Sequence, residues 1–414
     1  MHILLIHQYF KETDVKGGAR FNEMTRVWQD QGHEITVLAG DLDGQSSIKQ
    51  PEYKGKFVTK KRQNGITVFR CHVSESYNKN FLGRLWGYFS FVFSSSYAGL
   101  FKARDKYDLI LVTSPPLFVG ITAYLLSIFK RIPFVFEVRD LWPESAIDTG
   151  ILKNKLIIKF AYWFEGLMYR KAKRINVLTP AFREKLIKNK GVAEDKLMMI
   201  PNAADFEMSE ELLNTFDAQK FRQEKNWQDK FIITYVGAHG VANGLHQVLE
   251  TAKLVADTNV VFVLVGDGMK KKTLIEQAAS ENINNVWFYD SQPKKEVLKF
   301  VMASDMGTSV LLKNDTFKTV YSNKTFDYMS CKKPILMAID GVSRDLVETA
   351  DAGIFVEPEN PKDFAQKIRN YLQNPTKLRQ QGENGYQYAK NHFDRNKLAL
   401  KYLEELIKIN NSKR

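Results

Sequence analysis

Short apolar runs alternate with amphipathic stretches along the whole chain. His2–His7, Glu34–Ala39, Leu109–Thr113, Pro133–Val138, Arg174–Thr179 and Lys196–Pro201 read as buried strands, and Ile66–His72 (ITVFRCH) alternates like a strand. Arg20–Gln31 has helical spacing and stops at Gly32; Pro115–Lys130 reads as a helix or an apolar layer. Gly40 to Arg62 reads as an extended surface loop, and Phe206 to Lys230, charged and weakly patterned, as a connecting segment. The alternation then restarts. Phe231–Val236, Val260–Val265, Val286–Phe288, Met306–Leu311, Ile335–Ala338 and Gly353–Val356 read as strands. Helices are expected at Gly244–Ala256, Met269–Glu281, Lys294–Ala303, Pro361–Leu372, Leu378–His392 and Asp394–Ile409. Continuous apolar strands between helices predict parallel sheets covered on both faces. The chain is thus two doubly wound, Rossmann-like α/β halves: residues 1–204, residues 205–392, and a terminal helix over 393–414. Its 414 residues suit two domains of about 200 residues each.

Charge changes this picture once it is located. The net charge is +13. Residues 1–204 carry 31 Lys+Arg against 19 Asp+Glu, and residues 205–414 carry 29 against 28. The excess in the first half suggests an anionic partner: nucleic acid, a membrane surface or a phosphorylated substrate. Two stretches bear on the choice. Phe81 to Phe101 is dense in aromatics, and Leu152 to Arg174 interleaves Lys and Arg with Ile, Phe, Trp and Tyr. Both fit helices lying in a membrane interface; both also fit core helices with basic outer faces. No nucleic-acid-binding signature appears, so the membrane surface is preferred. Cys71 and Cys331 match no metal or redox spacing, and the seven histidines form no i, i+4 pair, so no metal site is expected. Met1–Ile6 lacks a basic leader and reads as a first strand, in keeping with a cytoplasmic protein.

Candidate chemistry gathers after the strands, where ligands of doubly wound sheets bind. The strongest stretch is Asp315–Met337. Tyr321, Ser322, Asn323, Lys324 and Thr325 open a helix that carries Asp327 one turn in. Backbone N–H groups, a hydroxyl and a lysine at a helix N-terminus suit an anion, and the acid can accept from sugar hydroxyls. An ordinary strand–helix connection with a solvated lysine has the same local pattern. Gly237, His239 and Asn243 follow one strand of that half, and Gly266 and Asp267 another, so three loops converge on one edge. In the first half, Gly17-Gly18-Ala19-Arg20 opens a helix after the first strand. The strand Phe134–Val138 leads into Arg139, Asp140, Trp142 and Glu144. There an arginine can bind phosphate, an acid can take a hydroxyl proton and a tryptophan can stack on a sugar; an internal Arg–Asp pair is the alternative.

These motifs together resemble the family-four retaining glycosyltransferases of GT-B fold. The residues that carry the resemblance are Gly17–Arg20, VRDLWPES at Val138–Ser145, IPNAAD at Ile200–Asp205, YVGAHGVANGL at Tyr235–Leu245, LVGDG at Leu264–Gly268 and NKTFDYMSCKKPIL at Asn323–Leu336. The branch most resembled builds capsule, O-antigen and exopolysaccharide repeats and includes L-fucosamine transferases. The resemblance implies two domains facing across a cleft, with a nucleotide sugar bound to the second and an acceptor to the first. It also implies last helices that cross back onto the first domain, and transfer without metal or other cofactor. Relatives often carry two glutamates seven residues apart; Thr319 and Asp327 stand at those positions here. Ala238 and Asn243 stand where relatives have Arg and Lys, and Arg139 where many have a histidine.

The expected activity is therefore transfer of a sugar, such as an N-acetylated amino sugar, from a UDP-sugar to a polyprenyl-diphosphate-linked saccharide. The protein would sit peripherally on the inner face of the plasma membrane. Arg139, Asp140 and Lys324 are the candidate catalytic residues. Gly237, His239, Asn243, Gly266, Asp267, Tyr321, Ser322, Asn323, Lys324, Thr325 and Asp327 are the candidate donor contacts. Gly17, Gly18, Arg20, Trp142 and Glu144 are the candidate acceptor contacts. A nucleotide-sugar epimerase and an inactive membrane-bound scaffold are the competing readings. A dehydrogenase is disfavoured, because neither half has a full dinucleotide fingerprint.

Overall fold

The structure is a computed structural model that describes residues 1–12, 20–42, 49–78, 81–148, 150 and 152–412. The chain divides into two compact units, one of Met1–Val15, Ala19–Pro201 and Leu398–Arg414, the other formed chiefly by Asn202–Lys397.

The first unit is built on eight strands: β1 (His2–Ile6), β2 (Glu34–Gly40), β3 (Val58–Gln63), β4 (Ile66–Cys71), β5 (Leu109–Ser114), β6 (Phe134–Val138), β7 (Arg174–Val177) and β8 (Leu197–Met199). Their order is β3-β4-β2-β1-β5-β6-β7-β8, parallel except for the antiparallel pair β3–β4. The chain builds outward in both directions from the β1–β5 pair, so the topological switch lies there. β5 and β6 are buried throughout, as strands covered on both faces must be. The terminal helix, Arg395–Asn411, buries Leu398, Ala399, Tyr402, Leu403, Leu406 and Ile409 at helical spacing. Trp28 Nε1 donates to the Ala399 carbonyl at 2.8 Å, and Tyr402 packs edge-on against the indole.

Three helices of this unit are unusual. Phe81–Tyr97, Val119–Lys130 and Lys155–Lys171 pack around the buried Phe118, whose ring stacks on Phe89 and Phe160. Their outer faces leave Trp86, Phe93, Phe129, Leu156 and Trp163 more than half exposed. Among the described residues no helix is long and apolar enough to cross a membrane.

The second unit has six parallel strands: β9 (Phe231–Val236), β10 (Val260–Val265), β11 (Val286–Tyr289), β12 (Met306–Val310), β13 (Ile335–Ala338) and β14 (Gly353–Phe355). They run β11-β10-β9-β12-β13-β14, which places the switch between β9 and β12.

Two sequence expectations are corrected. Gly40–Arg62 is not all loop: Val58–Gln63 pairs along the whole of β4 as an antiparallel edge strand. Its polar sequence, VTKKRQ, is that of an edge, where lysines face water and no apolar run is needed. Residues 43–48 of that stretch lie outside the described residues. Phe206–Lys230 is not a plain connection either. It forms the helices Phe206–Thr215 and Ala218–Glu224, capped by Asp205 and Asp217, whose carboxylates accept from Met208 N and Lys220 N. Phe206, Leu212 and Trp227 are buried in the core of the second unit.

Trp227 is fully buried and packs edge-on against Phe221, Phe300 and Tyr289. Truncation to alanine leaves a large cavity, so Trp227→Ala should lower the unfolding free energy by about 3–5 kcal/mol, read from a denaturant titration.

Candidate functional site

In the second unit the site grows from the carboxyl ends of β9, β10 and β12. Two loops leave β9 and β10 and touch backbone to backbone. A Cβ at Gly266 (φ +156°) would fall 1.8 Å from the Gly237 oxygen, and one at Gly268 (φ +155°) within 2.9 Å of the His239 backbone. Only glycine allows this approach. His239 N donates to Asp267 O at 2.8 Å, and Lys271 Nζ ties the Gly266 and Tyr289 carbonyls at 2.9 and 3.1 Å. The loops are thus a rigid floor, with Gly237 and Ala238 exposed on it.

The helix Asn323–Ser330 supplies the rest. Tyr328 fixes it: its hydroxyl donates to Thr308 O at 2.9 Å and accepts from Val236 N at 3.2 Å. Its ring lies where Gly307 has no side chain; a Cβ there would come within 2.5 Å of three ring atoms. One turn earlier stands Lys324. Its Nζ lies 4.8 Å from the centroid of the Tyr235 ring, and its Cε 3.4 Å from a Cβ built on Gly237. Among the described residues it has no hydrogen bond or ion pair; its one partner is the π face. Desolvation brings its ammonium down to about 8, against the opposing pull of Asp327. The amides of Asn323 and Lys324 likewise have no hydrogen-bond partner among the described residues. A cation and free helix-terminal N–H groups are thus set beside an exposed glycine.

Several predicted donor residues also have contacts within the fold. Ser322 does not cap the helix; its hydroxyl meets Ser309 Oγ at 3.0 Å and its amide donates to Ser343 Oγ. Asn323 Oδ1 accepts from Asn202 at 2.7 Å. Tyr321 packs edge-on against Phe326 and Phe393, and burial pushes its phenol up to about 12. Thr325 is buried, and its hydroxyl has no partner among the described residues. Asp327 is ion-paired with Lys294. Asn243 accepts from Gly240 N, and exposed Asp267 from Gly268 N. His239 is wholly buried, and among the described residues both ring nitrogens lack partners. Burial, with Lys271 adding to it, brings its imidazole down to about 4, so it is neutral. Thr319, at the position of a relative's glutamate, is buried and donates to Thr316 O at 2.6 Å.

In the first unit the corresponding edge is built on β1, β5 and β6. His7 follows β1, and its Nδ1 lies 2.7 Å from Thr113 Oγ1 of β5. Arg139 follows β6, and its amide donates to Ser114 O at 2.8 Å. Its guanidinium is half-buried and its Nε, wholly buried, has no hydrogen-bond partner among the described residues. Arg20 is engaged internally: it pairs with buried Glu137 at 3.3 Å and donates to the Ile200 and Pro201 carbonyls. Asn176 Nδ2 donates to Glu137 as well, at 2.9 Å. The Asp140 carboxyl is raised by burial, which bonds from Ser145 and the Leu141 amide oppose. Trp142 is half-buried, edge-on to Phe118. Glu144 turns to Lys190 at 2.5 Å, which also binds Glu165. Gly17 and Gly18 lie outside the described residues. Among the described residues no cluster of His, Cys, Asp or Glu could hold a metal ion.

Residues 217–388 match the family described as glycosyl transferases group 1, and residues 17–203 match the glycosyl transferase 4-like domain. Each half of the chain thus matches a glycosyltransferase family model. A protein named as a colanic acid biosynthesis glycosyl transferase, WcaI of Escherichia coli (strain K12), is 23% identical over 397 residues, 94% of this chain and 95% of its own. The capsular polysaccharide biosynthesis glycosyltransferase CapM of Staphylococcus aureus is 21% identical over 56% of this chain and 60% of its own. Among solved structures, HepE of Anabaena, crystallised with UDP and with UDP-glucose, superposes with a TM-score of 0.72. It is 19% identical and the match covers 99% of this chain and 100% of that one. Such likeness, with the two parallel-sheet units, makes the fold GT-B. It is the fold that the sequence motifs led one to expect.

Tyr235, Tyr328 and Lys294 were not singled out from the sequence. Tyr328 adjoins Asp327 in the motif, and Lys294 opens the helix after β11, so position at the strand ends was the available signal for both.

Lys324 also makes a stability prediction. Its folded-state pKa, about 8, lies below the ordinary lysine value of 10.5. Between the two the unfolded chain holds more protons, so stability rises with pH across that window. Lys324→Met removes the desolvated ammonium. It should raise the melting temperature at pH 7, and the gain should shrink as pH rises from about 8 to 10 in a calorimetric series.

Proposed function

We propose that this protein transfers a sugar, with retention of configuration, from a UDP-sugar to a polyprenyl-diphosphate-linked saccharide during synthesis of a bacterial surface polysaccharide. The observation that carries the reading is Lys324: a cation with no ion pair among the described residues, at the sheet's switch point, beside exposed Gly237 and helix-terminal amides without a partner among those residues. That arrangement suits a diphosphate. The names of the Escherichia coli and Staphylococcus aureus relatives support the polysaccharide setting, and HepE, crystallised with UDP-glucose, supports the donor class.

In this reading the donor diphosphate lies over Gly237 and receives Lys324 and the amides of Asn323 and Lys324. Asp327, oriented by Lys294, accepts from the ribose hydroxyls. Departure of the nucleotide builds negative charge on the diphosphate, and donors already fixed in place stabilise it without reorganising. No metal takes part. The first unit binds the acceptor, with Arg139, Asp140 and Trp142 toward it. The exposed aromatics of the helices Phe81–Tyr97, Val119–Lys130 and Lys155–Lys171, flanked by Lys130, Lys155, Lys159 and Lys171, rest on the anionic inner face of the membrane.

A thermal-shift screen of UDP-, GDP- and dTDP-sugars tests the donor. A ligand at 100 times its dissociation constant stabilises by about 2.7 kcal/mol, and a UDP-sugar should do so. Lys324→Ala should abolish that shift and lower turnover by about 10²–10³ while the fold is kept; near-normal activity would refute the assignment. Conversion of the donor without acceptor would select an epimerase instead.

The membrane reading has its own test. The protein should co-sediment with phosphatidylglycerol vesicles, less at high salt. The double variant Phe129→Ser, Trp163→Ser should reduce binding at least tenfold; unchanged sedimentation would remove the membrane from the proposal.

A further inference from the structure

We propose that the carboxyl edge of the first sheet holds an anion-binding subsite in which Arg139 and His7 receive one oxyanion, a carboxylate or a phosphate, carried by the saccharide substrate. The identity of the carrier as a saccharide rests on the glycosyltransferase reading; the anion does not.

The argument is one of unmatched charge. Three guanidinium groups, those of Arg20, Arg70 and Arg139, lie close enough to His7 to disfavour its charged form. Two of them have counterions. Arg20 pairs with Glu137, and Arg70 pairs with Glu12 at 3.5 Å while its Nη2 donates to Gln63 at 3.0 Å. Arg139 has neither an ion pair nor a side-chain hydrogen bond among the described residues, and its Nε is shut off from water. Among those residues adjacent Asp140 makes no ion pair with it, and Glu137, which favours its charge from a distance, is already held by Arg20 and Asn176. A desolvated guanidinium without a counterion is expensive, and arginine does not escape by losing its proton. A ligand that supplies the missing negative charge removes the penalty.

Position and shape agree. β1 and β6 flank β5, so His7 and Arg139 stand on either side of it at the same edge, beside the switch point where open α/β sheets take ligands. Burial and the surrounding guanidiniums keep His7 neutral. In the tautomer whose Nδ1 accepts from the Thr113 hydroxyl, Nε2 carries the proton and is a donor. A planar fork and a single N–H donor suit two oxygens of one oxyanion. Two substrates present such a group: an acidic sugar, through its carboxylate, and a lipid-linked saccharide, through its diphosphate.

The test is titration of the full chain carrying Lys324→Ala, which silences the phosphate site of the second unit. The probes are glucuronate, inorganic pyrophosphate and, as neutral control, glucose. Glucuronate, pyrophosphate or both should bind, and glucose should not. Binding of glucuronate alone identifies a sugar acid as the carrier; binding of pyrophosphate identifies the diphosphate. Adding Arg139→Gln should weaken the anion at least tenfold, and Arg139→Lys should retain part of the affinity. His7→Ala gives a second variant, expected to weaken binding severalfold, should Arg139→Gln not fold. Absence of anion binding, or equal binding with and without Arg139, overturns the subsite. UDP-sugar binding, measured separately on the chain with Lys324 intact, reports on the glycosyltransferase reading alone, because Arg139→Gln leaves the second unit unchanged.

Discussion

The second unit depends on where one phenol is pinned. Tyr328 joins the amide of Val236 in β9 to the carbonyl of Thr308 in β12 through one hydroxyl, across the pair at which the sheet reverses direction. Strands diverge at such a switch, and backbone groups at their ends need partners. The tyrosine satisfies two of them and fixes the helix Asn323–Ser330 in register with the sheet. Gly307 makes room for the ring, so the pin is written in two residues far apart in sequence. Lys324 then arrives one helical turn before Tyr328, against the face of Tyr235. Without that pin the lysine would turn to water and regain an ordinary pKa.

A site held this way is rigid before any ligand arrives. Gly266 and Gly268 let two loops meet backbone to backbone, and Lys271 fastens them to the neighbouring strand end. Preorganised donors act on developing charge without reorganisation, which is the largest electrostatic contribution a protein can make to transfer chemistry. The expense falls on the free protein: a desolvated ammonium at Lys324, an orphaned imidazole at His239 and an orphaned hydroxyl at Thr325. Stability is given up where the ligand is to be held.

The sequence made the architecture legible because both sheets are parallel and buried, so their strands are continuous apolar runs. β3 escaped notice for the opposite reason: an antiparallel edge strand, VTKKRQ, needs no apolar run. Phe206–Lys230 escaped because its buried residues are widely spaced between charged ones, although Asp205 and Asp217 stood there as N-caps. At the site, residue types at strand ends were readable but pairings were not. That Arg20 spends its donors on Glu137, 117 residues away, follows from the sheet order alone. The same holds for Glu144 and Lys190, and for Asp327 and Lys294. Which cations remain unpaired is a remainder, visible only after every other charge has been assigned.

Among the described residues, Lys324 and Arg139 are cations without an ion pair at the switch edges of the two units, and the two chemistries are not interchangeable. A lysine on an aromatic face loses its proton easily once desolvated, so at Lys324 the ammonium responds to whatever charge lies beside it. In the proposed complex a diphosphate restores the proton's hold, so the charge is greatest with the anion in place. An arginine keeps its charge under the same desolvation, so the edge that holds Arg139 demands an anion at any physiological pH. The large positive excess of the first half is mostly surface charge, screened over about 8–10 Å by salt. In the proposed subsite, selectivity for an anion comes instead from a half-buried guanidinium whose Nε is shut off from water and which makes no ion pair among the described residues. The +12 balance of residues 1–204 favours anions near this half; in the proposed subsite it is Arg139 that decides where one is held.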